Sequence, residues 1–221
     1  MLVAIRKSTI IFVGPVLLCV LASVCVAQSQ ANKHLDKKVA SFELSDVPMS
    51  LLLERLAKTY QVPIGLETIP KEGDKASHEF SVRIEEGTVR DVLEAVIRAD
   101  PRYKWEEIDG VINVSPKTGG SPILEIVVSN FRVDYANRKD AGLSIIQLPE
   151  VKARLKELGL TRSDFGSLPA PSYDDLPRFS LRLRNVSVRR ILNEIMKISG
   201  SSYWVFSRYG DRNEYFLLSI S

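Results

Sequence analysis

A stretch of twenty residues, Glu79 to Arg98 (EFSVRIEEGTVRDVLEAVIR), returns 99 positions later as Arg178 to Lys197 (RFSLRLRNVSVRRILNEIMK). Phe80, Ser81, Arg83, Val89, Arg90 and Leu93 recur unchanged as Phe179, Ser180, Arg182, Val188, Arg189 and Leu192. In each copy apolar residues first alternate and then fall at spacings of three and four, which predicts one strand, a short turn and one amphipathic helix. A chain that makes this step twice is expected to contain two related units.

The 221 residues leave room for one large or two small domains, and 45% hydrophobic with 26% charged residues is ordinary for a folded protein. The N-terminus places Arg6 and Lys7 before an apolar run from Ile10 to Ala27 that ends in Cys25, Val26 and Ala27. That pattern predicts a secretory signal peptide over residues 1–27, with an uncleaved anchor as the alternative. Both cysteines, Cys19 and Cys25, lie in this leader. The rest of the chain then has neither a disulfide nor thiolate chemistry available, and its stability rests on packing. The formal charge is +3, and it splits unevenly: residues 28–117 carry −3 and residues 118–221 carry +4. Export and the near-neutral total both argue against nucleic acid as a partner.

Residues 28–39 are polar and aperiodic and are expected to be a flexible lead-in. Ala40 to Leu44 alternates as a strand, and Asp46, Val47 and Pro48 open a helix whose stripe is Met49, Leu52, Leu53, Leu56 and Tyr60. Val62 to Glu67 is a second strand. After the repeated stretch, Tyr103 to Ile108 and Val111 to Val114 flank Asp109 and Gly110, a strong hairpin signal. The linker SPKTGGSP carries the expected boundary, at 116–122. Beyond it the pattern predicts a strand from Ile123 to Val133, a helical insertion within Tyr135 to Gln147, and a helix from Pro149 to Gly159. The loop Thr161 to Pro177 stands where the first unit has its second strand, and the second copy of the repeat and a closing hairpin follow. The expected fold class is α+β: two small tandem domains, 40–115 and 123–221, each a mixed sheet of about four to five strands packed on two helices.

In SFELSDVPMSLLLERLAKTYQVPIGLE, FSVRIEEGTVRDVLEAVI and YKWEEIDGVINV the first domain resembles the short N-terminal domain shared by secretins and TonB-dependent outer-membrane receptors. The likeness covers about residues 40–115. Gln61 departs from it, since the family usually places glycine after the first helix. The resemblance implies a periplasmic module that couples an outer-membrane channel or receptor to envelope partners.

Candidate chemistry is sparse. His34 and His78 have no spaced partners for a metal site or a triad. The adjacent acids Glu85 with Glu86 and Glu106 with Glu107 sit at strand ends, where neighbours face opposite sides. Asp174 and Asp175 lie in the long loop. The clearest surface feature is basic: Arg178, Arg182 and Arg184 alternate on the outward side of the repeated strand, and Arg189 and Arg190 begin the next helix. These five are the candidate partner-binding residues. The expected function is protein docking in the periplasm of a Gram-negative cell, accessory to an outer-membrane secretion or transport assembly, without catalysis and with no cofactor or metal. Expected partners are envelope proteins (a secretin, a receptor or an inner-membrane component), with a homo-oligomer possible and membrane contact only through an uncleaved leader. An exported ligand-binding protein or hydrolase using the loop 161–177 is the alternative.

Overall fold

The computed structural model describes residues 33–69, 79–162, 176–209 and 215–221. The leader, His78, and residues 163–175 of the long loop with Asp174 and Asp175 lie outside the described residues. The protein is mixed α+β.

The N-terminal half runs β1 (Lys38–Val39), β2 (Phe42–Pro48), α1 (Met49–Tyr60), β3 (Ile64–Glu67), β4 (Glu79–Ile84), β5 (Gly87–Thr88), α2 (Val89–Ala99), β6 (Tyr103–Ile108) and β7 (Val111–Pro116). The C-terminal half runs β8 (Val127–Ala136), α3 (Arg138–Gln147), α4 (Pro149–Glu157), β9 (Thr161–Arg162), β10 (Phe179–Ser187), α5 (Val188–Ser199), β11 (Tyr203–Tyr209) and β12 (Tyr215–Ile220).

Local chemistry explains most boundaries. Thr88 accepts from the backbone N–H of Asp91, and the Asp91 carboxylate accepts from the N–H of Thr88, a reciprocal cap at the start of α2. Ser187 caps α5 and Asn137 caps α3 in the same way but without the return bond. Pro149 occupies the first turn of α4. Asp109 and Gly110 both have positive φ, as the tight hairpin between β6 and β7 requires.

Several expectations need correction. Residues 33–39 do not form a free lead-in: Leu35 and Val39 are buried, and β1 pairs with β5. The strand expected from Ile123 begins at Val127, because Ile123 and Leu124 turn inward and bury their side chains ahead of it. The loop after α4 begins with a strand, β9. By contrast, the helical insertion expected within Tyr135 to Gln147 is present as α3, and α3 with α4 stands where the N-terminal half has α1 alone.

Six strands form one sheet in the order β6-β7-β3-β11-β12-β9. Within it β6 pairs antiparallel with β7, which runs parallel to β3; β11 pairs antiparallel with β12, which runs parallel to β9. The halves thus contribute the same three-stranded pattern, and they are joined by the parallel pairing of β3 with β11. The sheet therefore crosses the boundary expected at 116–122.

Neighbouring residues on a strand face opposite sides, and this places a separate core on each face of the sheet. Ile64, Leu66, Ile112, Val114 and Tyr203 belong to one, with Leu52, Leu53 and Leu56 of α1 and Val92, Leu93 and Val96 of α2. Val111, Trp204 and Phe206 belong to the other, with Ile145 of α3 and Ile191, Leu192 and Ile195 of α5. At about 1.5–3 kcal/mol for each fully buried aliphatic or aromatic side chain, these two clusters are the main source of stability. The cores also interlock: Tyr203 from the C-terminal half lies in the first, and Val111 from the N-terminal half lies in the second. Trp204 lies flat across β3, where a Cβ on Gly65 would fall 2.2 Å from its Cε2. Only glycine permits that approach.

Candidate functional site

Outside the sheet, each core is closed by a two-stranded antiparallel ribbon, β2–β4 over the first and β8–β10 over the second. Phe42, Phe80 and Val82 point into the first core; Phe131, Val133 and Phe179 point into the second. The alternate residues face outward.

The ribbons share one backbone plan. Phe42 pairs with Ile84 and Phe131 with Leu183; Leu44 pairs with Val82 and Val133 with Leu181. Both then carry a bulge in which two residues oppose one serine. Asp46, with φ of 56°, donates its N–H to Ser81 Oγ at 3.1 Å, and Tyr135, with φ of 52°, donates its N–H to Ser180 Oγ at 3.0 Å. A left-handed backbone is unfavourable for both side chains, and the serine hydroxyl holds it in each ribbon. This accounts for a serine recurring at 81 and 180. It also reveals a correspondence that the unbroken 99-residue offset hides: FELSDVP at 42–48 matches FRVDYAN at 131–137, 89 positions apart.

With the backbones matched, the outward faces compare position by position. Glu43 becomes Arg132, Glu79 becomes Arg178, Arg83 is retained as Arg182 and Ser45 becomes Asp134; Glu85, in the bend that follows β4, stands 99 positions before Arg184, which lies within β10. All of these are exposed. One face is net acidic and its counterpart is strongly basic.

Of the five sequence-predicted arginines, the basic ribbon brings together Arg178, Arg182 and Arg184 and adds Arg132, which lies directly opposite Arg182. Asp134 bridges these two, at 2.6 Å from Arg132 Nε and 3.5 Å from Arg182 Nη2. The hydrogen bond from Arg132, with the two positive charges, holds the Asp134 carboxyl below its ordinary range. Arg178 stacks over the ring of Tyr135 at 5.2 Å and donates Nη1 to the Tyr135 carbonyl at 3.3 Å. Tyr135 itself is 73% exposed.

Arg189 and Arg190 are placed elsewhere. Arg189 is buried, with Nη2 at 2.6 Å from Glu67 Oε2 of β3 and 2.8 Å from Glu125 Oε1. Burial pulls its pKa down, but the hydrogen bonds to the two carboxylates outweigh that and leave it raised. Glu67 Oε1 in turn accepts the backbone N–H of Ser121, so the segment expected to be a linker is tied to this ion group. Arg190 Nε reaches Asp109 Oδ2 at 2.6 Å in the β6–β7 turn, and Lys197 Nζ reaches the Asp109 carbonyl at 3.2 Å. The hydrogen bond from Arg190 to the Asp109 carboxylate raises the pKa of Arg190. Both arginines hold the halves together. Arginines in a first turn oppose the helix dipole, and these carboxylate partners offset the conflict.

Sequence reasoning missed Arg132, Tyr135 and Glu67. The first two were within reach of a repeat search that allowed the offset to change; nothing local marks Glu67 as the partner of a residue 122 positions away. Among the described residues no group of three His, Cys, Asp or Glu is arranged to hold a metal. Comparison with known proteins finds no matching family model, no matching curated protein and no matching solved structure.

Proposed function

We propose that this chain is a periplasmic protein–protein interaction module, accessory to an outer-membrane secretion or transport assembly, that works by docking and without catalysis. It is built of two diverged tandem copies of one α+β unit behind a cleaved leader. The leader pattern supports the compartment, and the resemblance of residues 40–115 to the secretin and TonB short N-terminal domain supports the class of assembly.

The observation that carries the docking reading is the outward face of β8–β10. Arg132, Arg178, Arg182 and Arg184 are exposed there beside Asp134. Like charges directly opposite each other disfavour a ribbon, and the single carboxylate of Asp134 that bridges Arg132 and Arg182 leaves the face with an excess of positive charge. An acidic protein surface would complement it, speeding encounter and fixing orientation more than adding raw affinity.

Photo-crosslinking in cells from position 130, exposed on β8 and paired with Arg184, followed by identification of captured proteins, tests this. A secretin, receptor or inner-membrane component should be recovered, and Arg182→Glu with Arg184→Glu should abolish the capture. Recovery of no other envelope protein, or capture that survives the charge reversal, would overturn it.

A further inference from the structure

The two ribbons have the same backbone plan from Phe42 and Phe131 through the bulge and its serine, yet Glu43 and Glu79 of one are Arg132 and Arg178 in the other, and Glu85, in the bend just beyond β4, stands 99 positions before Arg184. A face and its charge-inverted counterpart are complementary surfaces. Within one molecule they cannot meet, because the ribbons close cores on opposite faces of the shared sheet.

We infer that the basic face of β8–β10 docks onto the acidic face of β2–β4 of a second copy of this chain. The contact is head to tail: the surface that one copy offers differs from the surface that it receives, so an open assembly keeps one free acidic face at one end and one free basic face at the other, and that basic face remains for an envelope partner. Such an interface propagates until it closes into a ring or stays open as a chain. Glu43, Glu79 and Glu85 supply the acceptors and Arg132, Arg178 and Arg184 the donors. Arg83 and Asp134 are the minority charges of their faces and pair locally, Arg83 with Glu85 at 2.7 Å and Asp134 with Arg132 at 2.6 Å. Exposed Tyr135 and Val127 lie on the same strand as Arg132 and add apolar contact. The inference rests on the docking reading of the basic face and names one occupant for it.

Sedimentation velocity on the purified chain tests it. The weight-average mass should rise with concentration at low salt. The apparent dissociation constant should weaken by at least about tenfold as salt goes from about 0.01 M to about 1 M, because the screening length shrinks from about 30 Å to about 3 Å. Two triple variants sharpen the test: Glu43→Arg, Glu79→Arg, Glu85→Arg makes both faces basic, and Arg132→Glu, Arg178→Glu, Arg184→Glu makes both acidic. Each alone should be monomeric, and an equal mixture should associate. A wild-type chain that stays monomeric at low salt overturns the inference, as does a mixture of folded variants that does not associate; circular dichroism melts verify folding. Self-association without capture of any other envelope protein in cells would sink the accessory role and leave this contact standing. Capture without self-association would do the reverse.

Discussion

At Glu107 on β6, both carboxylate oxygens are buried and have no hydrogen-bond partner among the described residues. Burial pushes this carboxyl above its ordinary value of 4.5, and the positive charge of Arg90 only partly opposes the shift. Arg90 is itself drawn over the ring of Trp105, at 5.6 Å. A carboxyl whose pKa is higher folded than unfolded binds more protons in the native state. Its ionisation therefore lowers stability as pH rises from the unfolded value toward the folded one. Glu107→Gln removes that penalty. We expect the variant to be more stable than wild type in urea unfolding at pH 7, with the difference closing as pH falls below about 4.5, the ordinary carboxylate value. A pH-independent difference would refute this account.

The end of α1 shows how an element is closed with an unfavourable residue. Gln61 sits at its C-cap with φ of 49° and ψ of 51°, a left-handed conformation that disfavours a side chain. At the corresponding end of α4 the chain uses Gly159, with φ of 64°. Gln61 offsets part of the strain by donating Nε2 to the Lys58 carbonyl at 2.7 Å. Gln61→Gly should raise stability by about 0.5–1 kcal/mol, the strain relieved minus one exposed hydrogen bond and some unfolded-state entropy. A urea midpoint that moves down instead would show that the hydrogen bond dominates. The bulged ribbons belong to this scale as well: each spends one strained residue to turn a strand into the first helix of its half, with Ser81 or Ser180 as the support.

For the whole molecule, the central sheet makes the halves interdependent. The parallel pairing of β3 with β11, Tyr203 in the first core, Val111 in the second, and the buried group of Arg189, Glu67 and Glu125 all cross the midpoint of the chain. Removing one partner from a buried ion pair leaves an uncompensated charge at a cost of about 3–5 kcal/mol. We expect the intact chain to unfold in one calorimetric transition. A fragment ending at Gly119 should lack a cooperative melt of its own, since it would expose the β3 edge and leave Glu67 buried without Arg189. Two separate transitions, or a fragment that melts sharply, would show that the halves are autonomous.

Much of this was legible in the sequence because it depends on neighbours along the chain. The 99-residue repeat, the cap at Thr88, the Asp109–Gly110 turn and the inward stripes of α1, α2 and α5 follow from spacing and local hydrogen bonding. So did the exposed alternation of Arg178, Arg182 and Arg184, since a strand presents every second residue outward. What required the tertiary structure was every choice of distant partner. Arg189 and Arg182 look alike as sequence, two basic residues in one repeated stretch. Packing against β3 buries the first with Glu67, while the ribbon leaves the second in solvent opposite Arg132. Likewise the linker composition of SPKTGGSP suggests a separation, but strand pairing is set by backbone hydrogen bonds that composition does not encode, and these join β3 to β11 across it.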